Sequence, residues 1–193
     1  MTFETALSID SDPWVPWDRI LSGPGARCDL AGFSCGVDSM DEFLRRSLGI
    51  WTEKGFCAPY YAVAGDAVVG VYTLSPATLT KDVAKASLSN KHLGGKKSNE
   101  QPGVRIGRLA VGTAYSSARR GVGTALLIHA VRSAVDLMGF VGGRFVMVEP
   151  LDGMAEWYER NRFISPKGSR TWFLPIKTAR EMIREMDPGW FVY

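Results

Sequence analysis

VRIGRLAV (residues 104–111), GTAYSSARRGVGT (112–124), ALLIHAVRSAVDLM (125–138) and GFVGGRFVMVEP (139–150) follow one another without a break, and their order decides the fold. The first piece is an apolar, β-rich run. The second is a turn in which Gly121 and Gly123 stand two apart, with Arg119 and Arg120 just ahead. The third has helical period. Leu127, Val131, Ala134, Val135 and Met138 make an apolar face, and His129, Arg132, Ser133 and Asp136 make the opposite one. The fourth is a short apolar strand. Strand, glycine-rich turn, helix and strand form a βαβ unit, whose strands are expected to run parallel with a right-handed crossover.

The turn carries the chemistry. Glycine lets backbone N–H groups crowd round a ligand with no Cβ in the way. A helix start offers unpaired N–H groups and a partial positive charge, which suit phosphate oxygens. Arg119, Arg120, Gly121, Val122, Gly123 and Thr124 are therefore expected to bind a pyrophosphate. An ordinary strand-to-helix loop would carry the same two glycines. No Gly-Lys-Ser/Thr follows, so the turn is not a P-loop, and it is not a full dinucleotide fingerprint.

The order of pieces resembles the GCN5-related N-acetyltransferase (GNAT) superfamily, whose turn reads Gln/Arg-x-x-Gly-x-Gly/Ala between a strand and a long helix. Gly121 and Gly123 match; the first position falls on Ala118, and Arg119 comes one residue late. Downstream, AEWYERNRF (155–163) is similar to the family's A-x-x-F-Y-E-x-x-G-F, with Arg162 standing where Gly is usual. The resemblance implies an α/β (α+β) fold, a mixed central sheet flanked by helices around a βαβ acyl-CoA-binding core. It implies acetyl-CoA as co-substrate, held at the turn. Backbone N–H groups near Leu109, Ala110 and Val111 would bind the thioester oxygen, and Tyr158 would protonate the departing thiolate. A buried core aromatic is the plainer reading of Tyr158. Glu149 ends a strand near the proposed site and is a candidate base, with ordered water as the alternative.

A length of 193 residues suits one domain spanning 1–193, with an N-terminal extension over 1–27 and an insertion over 80–103. Hydrophobic content of 46% is ample for a core, and a net charge of +3 does not mark a nucleic-acid binder by bulk charge. No run approaches the roughly 18 apolar residues of a membrane span, and no basic signal-peptide start is visible. Cys28, Cys35 and Cys57 are odd in number and lack paired-ligand spacing. A reduced, cytoplasmic protein without a metal site is expected.

The extension resists assignment, although Pro13 and Pro16 bias their predecessors away from helix. Its tryptophans either cover a core edge or meet a partner. FSCGVDSMDEFLRR (33–46) reads as an amphipathic helix capped by Asp38 or Ser39. Residues 59–64 and 67–74 read as strands joined by a Gly65-Asp66 hairpin turn, and Gly70 marks a bulge or a close backbone approach. Phe33, Cys35, Gly36, Asp41 and Leu44 resemble the F-x-C-G-x-x-x-L-D-x-x-L segment of one GNAT branch, the acetyltransferase toxins of type II toxin–antitoxin systems. Met40 replaces its usual Leu. GRLAV (107–111) is similar to that branch's strand before the turn, with Gly112 in place of the usual Asp.

Between Lys81 and Arg105 lie six basic and two acidic residues, so the positive charge is concentrated there. Lys81, Lys85, Lys91, Lys96, Lys97 and Arg105 would draw a polyanion with salt-sensitive affinity; a solvated loop would carry the same charge. A short helix is expected over 81–88, a helix capped by Asp152 follows residue 150, and a strand (171–176) and a helix (179–186) close the domain. The resemblance implies a toxin that acetylates the amino group of aminoacyl-tRNA and blocks translation, forming dimers and pairing with an antitoxin. Two other functions stay open: an acetyltransferase acting on a small amine or protein lysine, and a catalytically silent acyl-CoA-binding module.

Overall fold

A computed structural model describes residues 16–23, 25–80, 100–117, 121–166 and 169–186. Within them lie β1 (Arg19–Ser22), α1 (Asp38–Glu42), a π-helical turn (Phe43–Ser47), α2 (Leu48–Glu53), β2 (Ala58–Ala64), β3 (Ala67–Thr80) and β4 (Glu100–Val111). Then come α3 (Thr113–Ser116), α4 (Val122–Val141), β5 (Phe145–Val148), α5 (Ala155–Arg160), β6 (Trp172–Pro175) and α6 (Ile176–Met186). The strands form one six-stranded sheet in the order β1-β2-β3-β4-β5-β6. β4 and β5 run parallel, as the βαβ reading requires; the pairs β1–β2, β2–β3 and β5–β6 are antiparallel. This is the expected mixed α/β architecture.

The chain divides into two compact units, one of residues 1–75 and 107–129, the other of 76–106 and 130–193. In the first, Leu30, Phe33, Met40, Leu44, Leu48, Tyr61, Val63, Val71 and Ala110 form a buried cluster. Met40, Leu44 and Leu48 point into this cluster, and Phe43 packs against it half-buried. The β2–β3 hairpin turns at Gly65-Asp66, and its register slips between Ala62 and Val63, opposite Gly70. A Cβ on Gly70 would come within 2.8 Å of Leu126 and 3.0 Å of the Ala110 carbonyl oxygen, so any larger residue would have to push them aside.

The caps differ from expectation. Neither Asp38 nor Ser39 caps α1: Val37 holds the cap position and no side chain bonds there. Asp41 works instead from inside the helix. Its buried carboxylate accepts hydrogen bonds from the Ser34 hydroxyl (2.6 Å) and the Cys35 N–H (2.8 Å), and Arg45 lies 3.9 Å away. Burial alone would raise the carboxyl's pKa; these partners outweigh it and hold the group below the usual carboxylate range. The Ser34 carbonyl in turn accepts the Thr113 N–H (2.9 Å), which ties the 33–36 segment to α3.

In the second unit Leu79, Phe145, Met147 and Phe173 pack together, and all four residues of β5 are buried. Asp152 does not cap α5; Met154 occupies that place without a side-chain bond. Arg162, where the family has glycine, adopts φ 67°, the left-handed conformation that favours glycine. Its guanidinium forms a two-pronged pair with Glu185 at 3.1 and 2.5 Å.

α4 passes through both units. By length and hydropathy it would suffice to cross a membrane, but Leu127, Val131, Ala134, Val135 and Met138 are buried, as are Leu126 and Ala130. His129 corrects the expected polar face: it is buried, with Nδ1 2.9 Å from the Tyr72 hydroxyl. The buried arc of α4 is wider than a single apolar stripe. β1 falls in the stretch that the sequence left unassigned. The proposed 81–88 helix, most of the N-terminal extension and the aromatic C-terminal tail lie outside the described residues.

Two stability measurements follow. Arg162→Gly relieves the left-handed strain and should be about 1 kcal/mol more stable to urea than Arg162→Ala, since both lose the Glu185 pair; equal midpoints would contradict the strain. Asp41→Ala strands the Ser34 and Cys35 donors and should cost roughly 2–4 kcal/mol. Because its folded pKa is lowered, the Asp41 contribution is full above the ordinary carboxyl pKa. It is lost as pH falls through the folded value, so acid unfolding of Asp41→Ala should be shallower than that of the parent.

Candidate active site

The proposed cofactor residues in view all lie in the first unit. Leu109, Ala110 and Val111 close β4, with Ala110 buried and its neighbours half-buried. Just before them the Arg108 backbone N–H donates to the Thr73 side-chain hydroxyl at 3.0 Å, and Thr73 itself is buried. The Thr73 side chain thus helps to hold the strand just before its end. Sequence reasoning passed over Thr73; the nearby Gly107, whose Cβ would sit 3.1 Å from that hydroxyl, was the available signal.

β4 ends where the Gly112 N–H donates to the Val69 carbonyl (2.9 Å). α3 follows, and a cleft of about 440 Å³ opens beside it, lined by Phe33, Ser34, Val68, Gly112, Thr113 and Tyr115 among others. The turn proper continues at Gly121, which is exposed with φ 98°; a Cβ there would meet nothing within 4 Å. Its carbonyl accepts the Ala125 N–H at 2.9 Å, so the helix begins here. The N–H groups of Val122, Gly123 and Thr124 belong to the first turn of a 20-residue helix, where backbone donors have no acceptor within the helix. Bare backbone, open space among the described residues and donors that the helix itself does not use fit a diphosphate. Arg119 and Arg120 lie outside the described residues.

The second unit holds the two proposed proton carriers. Tyr158 lies on α5 and is buried, with its ring edge-on to Trp157 (4.8 Å) and Phe163 (5.4 Å). Burial pushes its phenol up to about 12. The proton is thus held throughout the neutral range. Glu149 follows β5 and is about half exposed, with its carboxylate 3.4 Å from the Arg105 guanidinium. That pair also qualifies Arg105 as a polyanion contact, since its charge faces an acid. Lys81, Lys85, Lys91, Lys96 and Lys97 lie outside the described residues.

The free thiols of Cys28, Cys35 and Cys57 are all raised by burial, so none is primed as a nucleophile. Among the described residues no group of His, Cys, Asp and Glu can hold a metal ion.

No family model matches the chain. Solved structures do. A tyrosine-to-phenylalanine mutant of KacT is 26% identical, with 80% of this chain and 92% of that one covered and a TM-score of 0.70. AtaT complexed with acetyl-methionyl-tRNAfMet is 24% identical over 84% of this chain and 97% of that one, with a TM-score of 0.73. A tyrosine-to-phenylalanine mutant of the AtaT toxin, bound to acetyl-CoA and to the C-terminus of the antitoxin AtaR, is 22% identical over 84% and 96%, with a TM-score of 0.66. The expected fold agrees with these neighbours, of which one AtaT structure holds acetyl-CoA and another acetyl-methionyl-tRNAfMet. With this order of strands and helices, the chain shares the fold of KacT and of the AtaT toxin.

Proposed function

We propose that the chain is an acetyl-CoA-dependent N-acetyltransferase of toxin type that acetylates the amino group of aminoacyl-tRNA. The observation that carries the chemistry is the buried, protonated Tyr158 on a helix whose sequence is similar to the family's thiolate-protonating segment. The acceptor is supported by AtaT, which was solved with acetyl-methionyl-tRNAfMet.

Each step is assigned to a group of this chain. The N–H groups of Val122, Gly123 and Thr124, with Arg119 and Arg120, bind the diphosphate of acetyl-CoA. The end of β4 near Leu109, Ala110 and Val111 supplies an N–H to the thioester oxygen, where negative charge builds as a neutral amine attacks. The amine's surplus proton leaves to ordered water or to Glu149. As the carbon–sulfur bond breaks, the Tyr158 hydroxyl gives its proton to the sulfur and is later reprotonated from solvent. A phenol at about 12 is a weak acid toward an ordinary thiolate. The water-poor setting that raises it also destabilises a thiolate, which narrows the gap between the two acids.

Tyr158→Phe should lower turnover by about 10²–10³-fold and leave acetyl-CoA affinity within about twofold, as calorimetry and single-turnover assays would read. Expression of the parent protein should arrest growth and the variant should relieve the arrest. Mass spectrometry of total tRNA after incubation with labelled acetyl-CoA decides the acceptor: unlabelled aminoacyl-tRNA beside an acetylated small amine would sink the tRNA assignment. The pH profile is a separate check. Tyr158 stays protonated, so the rate should climb as the acceptor amine loses its proton near pH ~8 and hold to about pH 10; a fall between 8 and 9 would exclude Tyr158 as the acid.

A further inference from the structure

The first unit carries an aromatic run that the catalytic assignment does not use. Phe43 in the π-turn meets Trp51 of α2 edge-on at 5.3 Å, and Trp51 meets Phe56 at 5.5 Å. Trp51 is 43% exposed and Phe56 58%, so these two rings leave much of their surface to water. At the other end the Arg108 guanidinium lies 4.5 Å over the Phe43 ring, where its Nη1 donates to the Gly107 carbonyl at 2.8 Å. Exposed aromatic rings in contact with one another are a candidate binding surface.

The chemistry of the patch points to a nucleic-acid strand. Rings beside a stacked guanidinium are how proteins hold unpaired nucleotides: bases lie on the aromatic faces, and arginine adds cation–π attraction and donors for phosphate. The nearby acids do not oppose this. Glu42 is paired with Arg46 (3.3 Å), Glu53 with Arg27 (2.7 Å), and Asp41 is buried beside Arg45. Lys54 stands between Trp51 and Phe56 in the chain. Arg108 also immediately precedes Leu109, where the β4 segment assigned to the thioester begins.

We propose that Trp51, Phe56 and the Arg108–Phe43 pair form a stacking platform for the unpaired 3′-terminal nucleotides of the acceptor. The identity of the acceptor rests on the function proposed above, while the stacking can be read without any acetyl transfer. A nucleotide on the platform would place the aminoacyl ester attached to it beside the end of β4.

The test is fluorescence anisotropy of a labelled single-stranded RNA ending in CCA, titrated with the full chain. Trp51→Ala and Phe56→Ala should each weaken binding about tenfold, with the salt dependence of affinity unchanged because no phosphate contact is removed. Arg108→Lys, which keeps the charge and loses the planar stack, should weaken it as well. Circular dichroism confirms that each variant is folded. No binding by the parent chain, or equal binding by parent and folded variants, overturns the platform. So does a change in sedimentation of the Trp51 and Phe56 variants with RNA affinity intact, which would make the patch a contact between copies. Acetylation kinetics separate the two proposals: Trp51-dependent RNA binding by a protein that modifies only small amines would keep the platform and discard the aminoacyl-tRNA reaction.

Discussion

A single buried carboxylate organises the first unit. Taking Asp41 out of water is costly unless its lone pairs are satisfied. Here the Ser34 hydroxyl and the Cys35 N–H fill them, and Arg45 stands close by. The consequence reaches beyond the helix that carries it. The 33–36 segment is held in place, the Ser34 carbonyl takes the Thr113 N–H, and a Cβ on Gly112 would lie 3.4 Å from the Phe33 ring. The start of the 112–124 turn is thereby tied to α1 through a few short bonds.

Burial acts with opposite results on two ionisable groups of this protein. Asp41 and Tyr158 both lose water, which disfavours charge in each. Asp41 has donors aimed at its oxygens, and they more than cancel the cost, so it stays ionised. Around Tyr158 burial acts without such compensation and the proton stays on the phenol. The three thiols follow the tyrosine: burial raises them, and they remain quiet side chains. Acid chemistry in the proposed reaction therefore falls to the one of these groups that is both buried and protonated at an oxygen.

The features legible in the sequence are those set by periodicity and by glycine. The α4 apolar stripe and the β2–β3 hairpin depend on neighbours along the chain, and a glycine inside a strand marks the tight spot at Gly70 even though Ala110 and Leu126 make it. The helix starts were misread because Asp38, Ser39 and Asp152 have the right chemistry for caps in the right places. Whether such a side chain turns back onto its own helix depends on what else is within reach. His129 was assigned to solvent by a helical wheel, which assumes one wet face; the Tyr72 hydroxyl supplies a partner that no wheel contains. Arg162 shows the reverse: its departure from the family glycine was visible, but the positive φ that makes it costly was not.

The sequence alone determined the strand–turn–helix–strand order over residues 104–150, the parallel pairing of β4 with β5 and the glycine-bearing helix start, because these follow from side-chain period and backbone freedom within short stretches. It also carried the likeness to GNAT toxins that the solved neighbours bear out. Only the tertiary structure decided which polar groups are buried and who satisfies them: Asp41 on Ser34 and Cys35, Thr73 on Arg108, His129 on Tyr72. The pairings of Thr73 and His129 join residues 35 and 57 apart in the chain, and even the local one at Asp41 depends on burial. Their strength comes from exclusion of water, and that exclusion exists once the chain has folded around them.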